Sequence, residues 1–266
     1  IYYIYLLHNF HFQVYGALFA GQYEPALRAA DQMQATVRPE YLHAEHAFLV
    51  NYLEAFYGMK AHVLVRFGKW QAILDEPELE EPMLFCVTHA FWQYAKGIAH
   101  AVLGNIDEAI EQQRFLRAAV AAVPTERVVF QNESRDILAV AEVMLAGELE
   151  YRRENYDIAF VRLREAVDLY DNLNYSEPWS WMMPPRHALG ALLLEQGHVD
   201  EAASIYRADL GLDDTLVRPS QHQNNIWSLL GYAECCERLG DSKTLEAIRP
   251  ALAKARQVAD SSIEVS

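Results

Sequence analysis

Cysteine is scarce in this 266-residue sequence, which contains only Cys86, Cys235 and Cys236. An odd number, with two of them adjacent, does not indicate a disulfide framework, so we expect a protein of the reducing cytoplasm. Long apolar runs are missing as well, since no stretch reaches the roughly 18 apolar residues of a membrane span. The opening IYYIYLLHNF has no basic start and no small-residue cleavage site, so it does not resemble a signal peptide.

Positive charge is also in short supply. The sequence has 22 basic residues against 37 acidic ones, which gives a formal net charge of −15. This balance argues against nucleic acid or an anionic membrane as the main partner. A peptide, a partner protein and a small ligand remain as the classes of partner to consider.

The motifs of several enzyme classes are missing. The sequence contains no GxSxG elbow and no glycine-rich phosphate loop. Cys86 lies in the apolar stretch LFCVTHAFW, and an apolar environment raises the pKa of a thiol and makes it unreactive. His89 follows three residues later on the same helical face, which leaves a Cys–His dyad geometrically open. The sequence favours a protein that is not an enzyme.

What the sequence does contain is an internal repeat. The pattern glycine–x–apolar–acidic–x–alanine occurs as GQYEPA, GNIDEA and GHVDEA, and ENYDIA keeps all of it except the glycine. A second set of glycines lies twelve residues before three of the pattern's alanines, in the pairs Gly97–Ala109, Gly147–Ala159 and Gly190–Ala202. Glycine inside a helix costs roughly 1 kcal/mol relative to alanine. Three at a fixed offset therefore indicate helical hairpins in which glycine faces alanine at close contact.

With these motifs the chain resembles the tetratricopeptide repeat family, and the resemblance covers nearly all of it. It implies an all-α, right-handed superhelical solenoid of about six antiparallel helical hairpins in a single domain. The expected hairpins span residues 1–38, 41–78, 83–124, 134–172, 185–211 and 223–260. The turns are further apart than the roughly 34 residues of the type repeat, so longer helices or connections are expected.

A narrower resemblance rests on the stretch from Arg164 to Leu210 together with HNFHF near the start. Both are similar to a group of bacterial tetratricopeptide-repeat proteins. In that group an upstream repeat often carries the histidine motif HMPSH, which is not found here. The resemblance therefore implies a piece of a longer array whose first repeats are missing.

In such a solenoid the first helix of each hairpin lines the concave face, which predicts a ligand-binding groove. Its expected lining residues are Tyr15, Trp92, Tyr94, Trp179, Trp181, Arg186 and His187. Trp179 and Trp181 can form an aromatic wall, and Arg186 can receive a carboxylate from a peptide or a small acid. The alternative is a long loop held on the solenoid by its own apolar side chains. We predict a binding or scaffold module, and a sensor of a small acid is a weaker hypothesis.

The histidines suggest a rival function, a metal-binding protein or a metal-dependent enzyme. His8 and His11 are three residues apart, so their side chains share one helical face, and HAEH (His43 to His46) repeats the spacing. The predicted ligands of a divalent ion such as zinc are His8, His11, His46 and His89, with Glu45 or Glu133 as further donors. The alternative is buried histidines that donate to backbone carbonyls. A histidine pair without the HExxH spacing leaves both interpretations open.

Overall fold

The computed structural model describes residues 2–43, 47–260 and 263, and their regular structure is almost entirely helical. The first helices are α1 (Tyr2–Ala20), α2 (Tyr23–Thr36), α3 (Pro39–Leu42), α4 (Ala47–Tyr57), α5 (Met59–Arg66), α6 (Trp70–Asp75) and α7 (Cys86–Val102). The later ones are α8 (Ile106–Ala122), α9 (Ser134–Arg152), α10 (Tyr156–Asp171), α11 (Pro185–Glu195), α12 (Val199–Asp209), α13 (Ile226–Leu239) and α14 (Ser242–Val258). A 3₁₀ turn spans Arg218–Ser220. The prediction of an all-α protein is confirmed.

A small β-hairpin interrupts the helices between α8 and α9. Its strands, β1 (Val128–Val129) and β2 (Asn132–Glu133), are antiparallel, with Val128 opposite Glu133 and Val129 opposite Asn132. Two residues a strand is far below the usual strand length. The hairpin therefore acts as a connection that positions the start of α9.

The contacts divide the chain into two compact units. The first comprises the described residues of Ile1–Tyr15 and Glu24–Met183, and the second comprises those of Gly16–Tyr23 and Pro184–Ser266. Helix α1 therefore contributes its first part to one unit and its last part to the other. The single array expected from the sequence stays a prediction.

The first residue of the repeat pattern adopts a left-handed backbone conformation at the turns between paired helices. Gly104 and Gly197 have φ of 81° and 82°, values in the left-handed region that glycine reaches without steric cost. Glu154 stands where ENYDIA lacks the glycine, and it has φ of 62°. A residue with a Cβ pays roughly 1–2 kcal/mol there, so the turn geometry is maintained against a local penalty.

In the first unit, helix α7 is the central element. It contacts α8, α9 and the shorter helices α4, α5 and α6, while α9 also contacts α8 and α10. A Cβ on Gly147 would lie 2.8 Å from Leu163 Cγ and 3.5 Å from the carbonyl oxygen of Ala159, as the predicted hairpin requires. The atoms nearest to Gly97 belong instead to Leu145 of α9, at 2.6 Å from the Cβ position. Gly97 therefore gives Leu145 of α9 room to approach α7, and its predicted contact with Ala109 stays a prediction.

In the second unit a tyrosine fills the space that two glycines leave. Helix α12 contacts α11 and α13, and α13 contacts α14. A Cβ on Gly190 of α11 would lie 2.8 Å from Tyr206 Cζ, and a Cβ on Gly231 of α13 would lie 2.3 Å from the same atom. Tyr206 belongs to α12 and is almost completely buried. One aromatic ring is thus packed against two backbones, and it sets how closely α12 approaches both neighbours.

In the described ranges, no helix has both the length and the hydropathy needed to cross a bilayer. Cys86, Cys235 and Cys236 are buried free thiols.

Candidate functional site

Most of the side chains predicted to line a groove are buried. Tyr15 is half-buried, whereas the other six have relative exposures of 6% or less: Trp92, Tyr94, Trp179, Trp181, Arg186 and His187. A side chain with so little accessible surface cannot form the wall of an open groove. The structure therefore favours packing roles for these six, and their part in ligand binding stays a prediction.

The loop that carries Trp179 and Trp181 is held in place within the first unit. Asn132 donates to the carbonyl oxygen of Asn174 (3.0 Å) and accepts from the backbone N–H of the same residue (2.7 Å). Ser180 donates to the carbonyl oxygen of Val129 (2.8 Å). Trp181, with no accessible surface, packs its ring edge-on against His62 at 4.8 Å. This arrangement fits the alternative in which the loop is attached by its own side chains.

Those predicted metal ligands that the structure describes belong to no group of three side chains that could hold a metal ion. His11 is almost fully buried between Phe56 and Phe130, with ring centroids 5.8 and 4.6 Å away. His8 is half-buried and meets Phe12 edge-on. In residues 2–43, 47–260 and 263, no three histidine, cysteine or carboxylate side chains are arranged to hold a metal ion. His46 lies outside the described residues, as does Glu45, so the metal site stays a prediction.

His62 on α5 is a buried histidine that the sequence analysis missed. Its ring lies 4.9 Å from Phe91 and 4.8 Å from Trp181, both edge-on. Neither ring nitrogen has a hydrogen-bond partner among the residues that the structure describes, and the same is true of His11 Nε2. Burial lowers the pKa of both imidazoles to about 3, so both are neutral near pH 7. Helical periodicity alone could have indicated that His62 faces inward.

We predict that His62→Phe stabilises the protein, and that the gain grows in acid. Phenylalanine removes two unpaired buried polar atoms, whose burial costs about 1–3 kcal/mol. The pKa of His62 is about 3 in the folded state and 6.5 as its ordinary value. The unfolded chain therefore binds the extra proton between these values, and wild-type stability falls by up to about 1.4 kcal/mol per pH unit as pH decreases. Urea denaturation at pH 7, 6 and 5 measures the widening difference.

The titration of Glu54 does not affect the comparison between wild type and His62→Phe. Burial raises its pKa to about 7, so its own contribution falls as pH rises, but it is present in both proteins and cancels. His62→Leu is the control for ring size. Stability curves that run parallel with pH for wild type and His62→Phe would contradict the neutral buried imidazole.

A cavity of about 480 Å³ lies beside α7 and α8 in the first unit and is here called the α7–α8 pocket. Helix α7 lines it with Cys86, His89 and Gln93, and α8 lines it with Gln112, Phe115, Ala118, Ala119 and Ala122. Spacings of three and four residues place each set on one helical face. Glu78, Pro82 and Met83 of the segment before α7 complete the wall.

The pocket combines apolar walls with a few polar groups. Met83 and Phe115 are 70% and 47% exposed at its edge, and the alanines of α8 leave room between them. Gln112 Oε1 is buried without a hydrogen-bond partner among the described residues. Burial lowers the pKa of His89, which favours the neutral imidazole. Apolar surface with convergent polar groups is typical of ligand-binding sites.

A buried acidic residue, Glu54, lies behind Cys86 of the pocket lining. Glu54 of α4 accepts a hydrogen bond from the backbone N–H of Thr88 (2.8 Å), in the first turn of α7. Arg127 Nη1 lies 3.5 Å from Glu54 Oε2, and Arg127 also donates to the carbonyl oxygens of Val50 (2.8 Å) and Leu84 (3.0 Å). A carboxylate at a helix N-terminus is favourable because of the free N–H groups there. The hydrogen bond from Thr88 therefore ties Glu54 of α4 to the first turn of α7.

Cys86 lies beside this carboxylate, with Sγ 3.9 Å from Glu54 Oε2. Burial and the neighbouring Glu54 raise the pKa of the Cys86 thiol to about 11. A thiol that stays protonated is a weak nucleophile. The Cys86 thiol beside His89 is therefore not activated as a nucleophile.

The second unit contains a closed polar network centred on Asp209, which has no accessible surface. Its carboxylate accepts hydrogen bonds from His187 Nε2 (2.8 Å), His222 Nδ1 (2.8 Å), Asn225 Nδ2 (3.0 Å) and Ser228 Oγ (2.6 Å). Burial alone would raise the pKa of Asp209. The charge of His187 and the hydrogen bonds from both imidazoles outweigh it and hold the pKa well below its usual range.

This network joins the ends of α11, α12 and α13 and is further shielded by Phe19, whose ring stacks on His222 at 4.6 Å. His187, predicted as a groove residue, is engaged here in holding the unit together. Sequence reasoning missed Asp209 because its partners come from two separate stretches, the start of α11 and the segment from His222 to Ser228.

In comparisons with known proteins, no family model, curated protein or solved structure matches the chain.

Proposed function

We propose that this protein is a recognition module that holds a peptide segment of a partner protein in the α7–α8 pocket. The observation that carries the proposal is the pocket itself, a cavity of about 480 Å³ formed by both helices of one hairpin and the segment before it. Pockets of roughly 300–1,000 Å³ suit small ligands and peptide side chains.

The lining supports a peptide in particular. The small side chains of Ala118, Ala119 and Ala122 leave space for an apolar side chain between Met83 and Phe115. Gln93 and Gln112 each offer both a donor and an acceptor, which matches the alternating groups of a peptide backbone. Glu78 is paired with Lys96, so its charge is largely neutralised and an apolar ligand is not repelled.

We also propose that the hairpins are tetratricopeptide-like repeats arranged as a right-handed solenoid. In support, both helices of the α7–α8 hairpin contact α9, and both helices of the α11–α12 hairpin contact α13. Stacking of each hairpin on the first helix of the next is the expected contact of helical repeats. The three free cysteines further support a reducing cytoplasm as its location.

The test begins with peptides selected by the wild-type protein from a random peptide display library. We predict that Ala122→Trp, which fills the pocket, weakens the dissociation constant of a selected peptide by about tenfold or more, equivalent to about 1.4 kcal/mol. Fluorescence anisotropy of the labelled peptide measures the change.

Ala121→Trp provides the matched control, because Ala121 is exposed and does not line the pocket. It should leave the dissociation constant within about twofold of wild type. Equal binding to wild type and Ala122→Trp, or failure of the library to yield a binder, would refute the proposal.

A further inference from the structure

A second open groove lies between α13 and α14, away from the residues used above. This α13–α14 groove has a volume of about 680 Å³. Its apolar floor consists of Leu230 and Ala233 of α13 with Leu245 and Leu252 of α14. Leu245 and Leu252 are seven residues apart, two helical turns, so they lie on the same face of α14. The groove is thus a channel between two helices with an apolar base.

The rim on the α14 side carries two arginines that have no partner among the described residues. Arg249 and Arg256 both line the groove and are exposed, and neither forms a hydrogen bond or ion pair with any residue in the described part of the chain. They too are seven residues apart, which separates them by about 10 Å along the helix axis. Their guanidinium groups are therefore available to two anionic groups with that separation.

On the α13 rim of the groove, the one arginine is already paired with an acidic residue. Arg238 of α13 donates to the carbonyl oxygen of Leu194 (3.0 Å) and pairs with Glu234. Glu237 is the other acidic residue in the lining. The excess positive charge of the groove therefore lies on the α14 side.

Helix α14 is basic in a chain that is strongly acidic. It has one acidic residue against four basic ones: Lys243, Arg249, Lys254 and Arg256, with Glu246 as the acid. The chain as a whole has a net charge of −15. A positively charged helix on a negatively charged chain attracts an acidic partner, because complementary charge increases both encounter rate and specificity.

The described residues that follow α14 do not occupy the groove. The backbone N–H of Asp260 donates to the carbonyl oxygen of Gly21 (2.9 Å), and its carboxylate accepts from the N–H of Tyr23 (2.7 Å). Ile263 also lies against Gly21. These residues pack at the turn between α1 and α2.

We propose that the α13–α14 groove binds an acidic amphipathic helix of a partner protein. Two carboxylates seven residues apart pair with Arg249 and Arg256, and an aliphatic side chain between them packs on Leu245 and Leu252. A helix is the matching shape because the apolar and charged positions of the groove repeat with the same two-turn period. Arginine provides two parallel N–H donors to each carboxylate. This site is independent of the α7–α8 pocket.

The probe is a synthetic alanine-rich helical peptide with two glutamates seven positions apart and leucines between them on the same face. We expect it to bind the wild-type chain, and Arg249→Gln with Arg256→Gln to weaken the dissociation constant by about tenfold or more. Binding should also weaken as salt increases, since the arginines are exposed. Fluorescence anisotropy at low and high salt measures both effects.

Lys254→Gln is the control, because it removes a charge of α14 outside the groove lining and should change binding by less than about twofold. A scrambled peptide of the same composition, with the glutamates on opposite faces, should bind at least about tenfold more weakly. As a charge exchange, Arg249→Glu with Arg256→Glu should lose the glutamate peptide and gain a peptide with lysines at those positions.

Three results would overturn the proposal. One is a dissociation constant unaffected by the two arginine substitutions, and another is equal binding of the scrambled peptide. The third is self-association of the wild-type chain in sedimentation equilibrium that the arginine substitutions abolish, since the groove would then hold a second copy. None of these results affects the Ala122→Trp experiment, so the α7–α8 pocket and the α13–α14 groove are tested independently.

Discussion

Replacing Asp209 with alanine is expected to lower the free energy of unfolding of the second unit by about 3–5 kcal/mol. The substitution leaves the four donors of the buried network without their acceptor: His187, His222, Asn225 and Ser228. Removing one partner of a buried charged network costs far more than the net contribution of the intact network. Urea denaturation followed by tryptophan fluorescence measures the loss, and Trp227 in α13 reports on this unit.

The matched control is Asp213→Ala in the following segment. Asp213 accepts from the exposed side chain of Arg207 (2.8 Å), and an exposed pair of this kind contributes about 0–1 kcal/mol. The pH dependence gives a second check. Because the pKa of Asp209 is held well below its usual range, its stabilisation is complete above pH about 4 and is lost as pH falls below that value. If Asp209→Ala lowers the free energy of unfolding no more than Asp213→Ala does, the Asp209 network does not stabilise the second unit.

Leucine at Gly97 or at Gly190 is expected to unfold the unit that contains it. A Cβ alone would lie 2.6 Å from Leu145 at the first position and 2.8 Å from Tyr206 at the second. Leu145 is fully buried and Tyr206 nearly so, so neither can move aside without displacing a helix. Overpacking costs about 1–3 kcal/mol for a few extra methylenes, and a whole leucine side chain with a backbone shift exceeds that range.

Limited proteolysis with mass spectrometry locates the damage. New cleavage sites should appear in the first unit for Gly97→Leu and in the second unit for Gly190→Leu. The control is Gly16→Ala in α1, since a Cβ there meets nothing within 4 Å and the change should stabilise the helix by about 1 kcal/mol. If the two leucine variants resist protease as well as wild type does, the close helix contacts are refuted.

The helical hairpins could be predicted because their signals are local. The expected boundaries 83–124 and 134–172 enclose α7 with α8 and α9 with α10. The glycine turns and the matching turn at Glu154 also follow from a pattern of a few neighbouring residues. Such signals depend on backbone conformation and helical period, and a single sequence contains both.

The faces of the helices could not be predicted in the same way. Trp92 and Trp181 were expected to face a ligand, but they are buried. Helical periodicity shows which residues share a face, and it does not show which neighbouring segment covers that face. Asp209 was missed for a related reason: its partners lie up to 22 residues away in the sequence and meet only in the folded unit.

The α7–α8 pocket was found in part. Cys86 and His89 were recognised as sharing a face, but the sequence favoured no site there, and His89 was instead a predicted metal ligand. The residues that shape the pocket are alanines and glutamines, which form no chemical motif. Only the alanine-rich end of α8 could have indicated a cavity, because small side chains on one face leave space beside it.

Tyr206 has a consequence for how this sequence can change over time. Its ring occupies the volume that the missing side chains of Gly190 and Gly231 would otherwise fill. Neither glycine can gain a side chain while the tyrosine stays, and a smaller residue in its place would leave a void between three helices. Substitutions at Gly190, Tyr206 and Gly231 are therefore coupled. A natural variant that alters one of these residues should carry a compensating change at another.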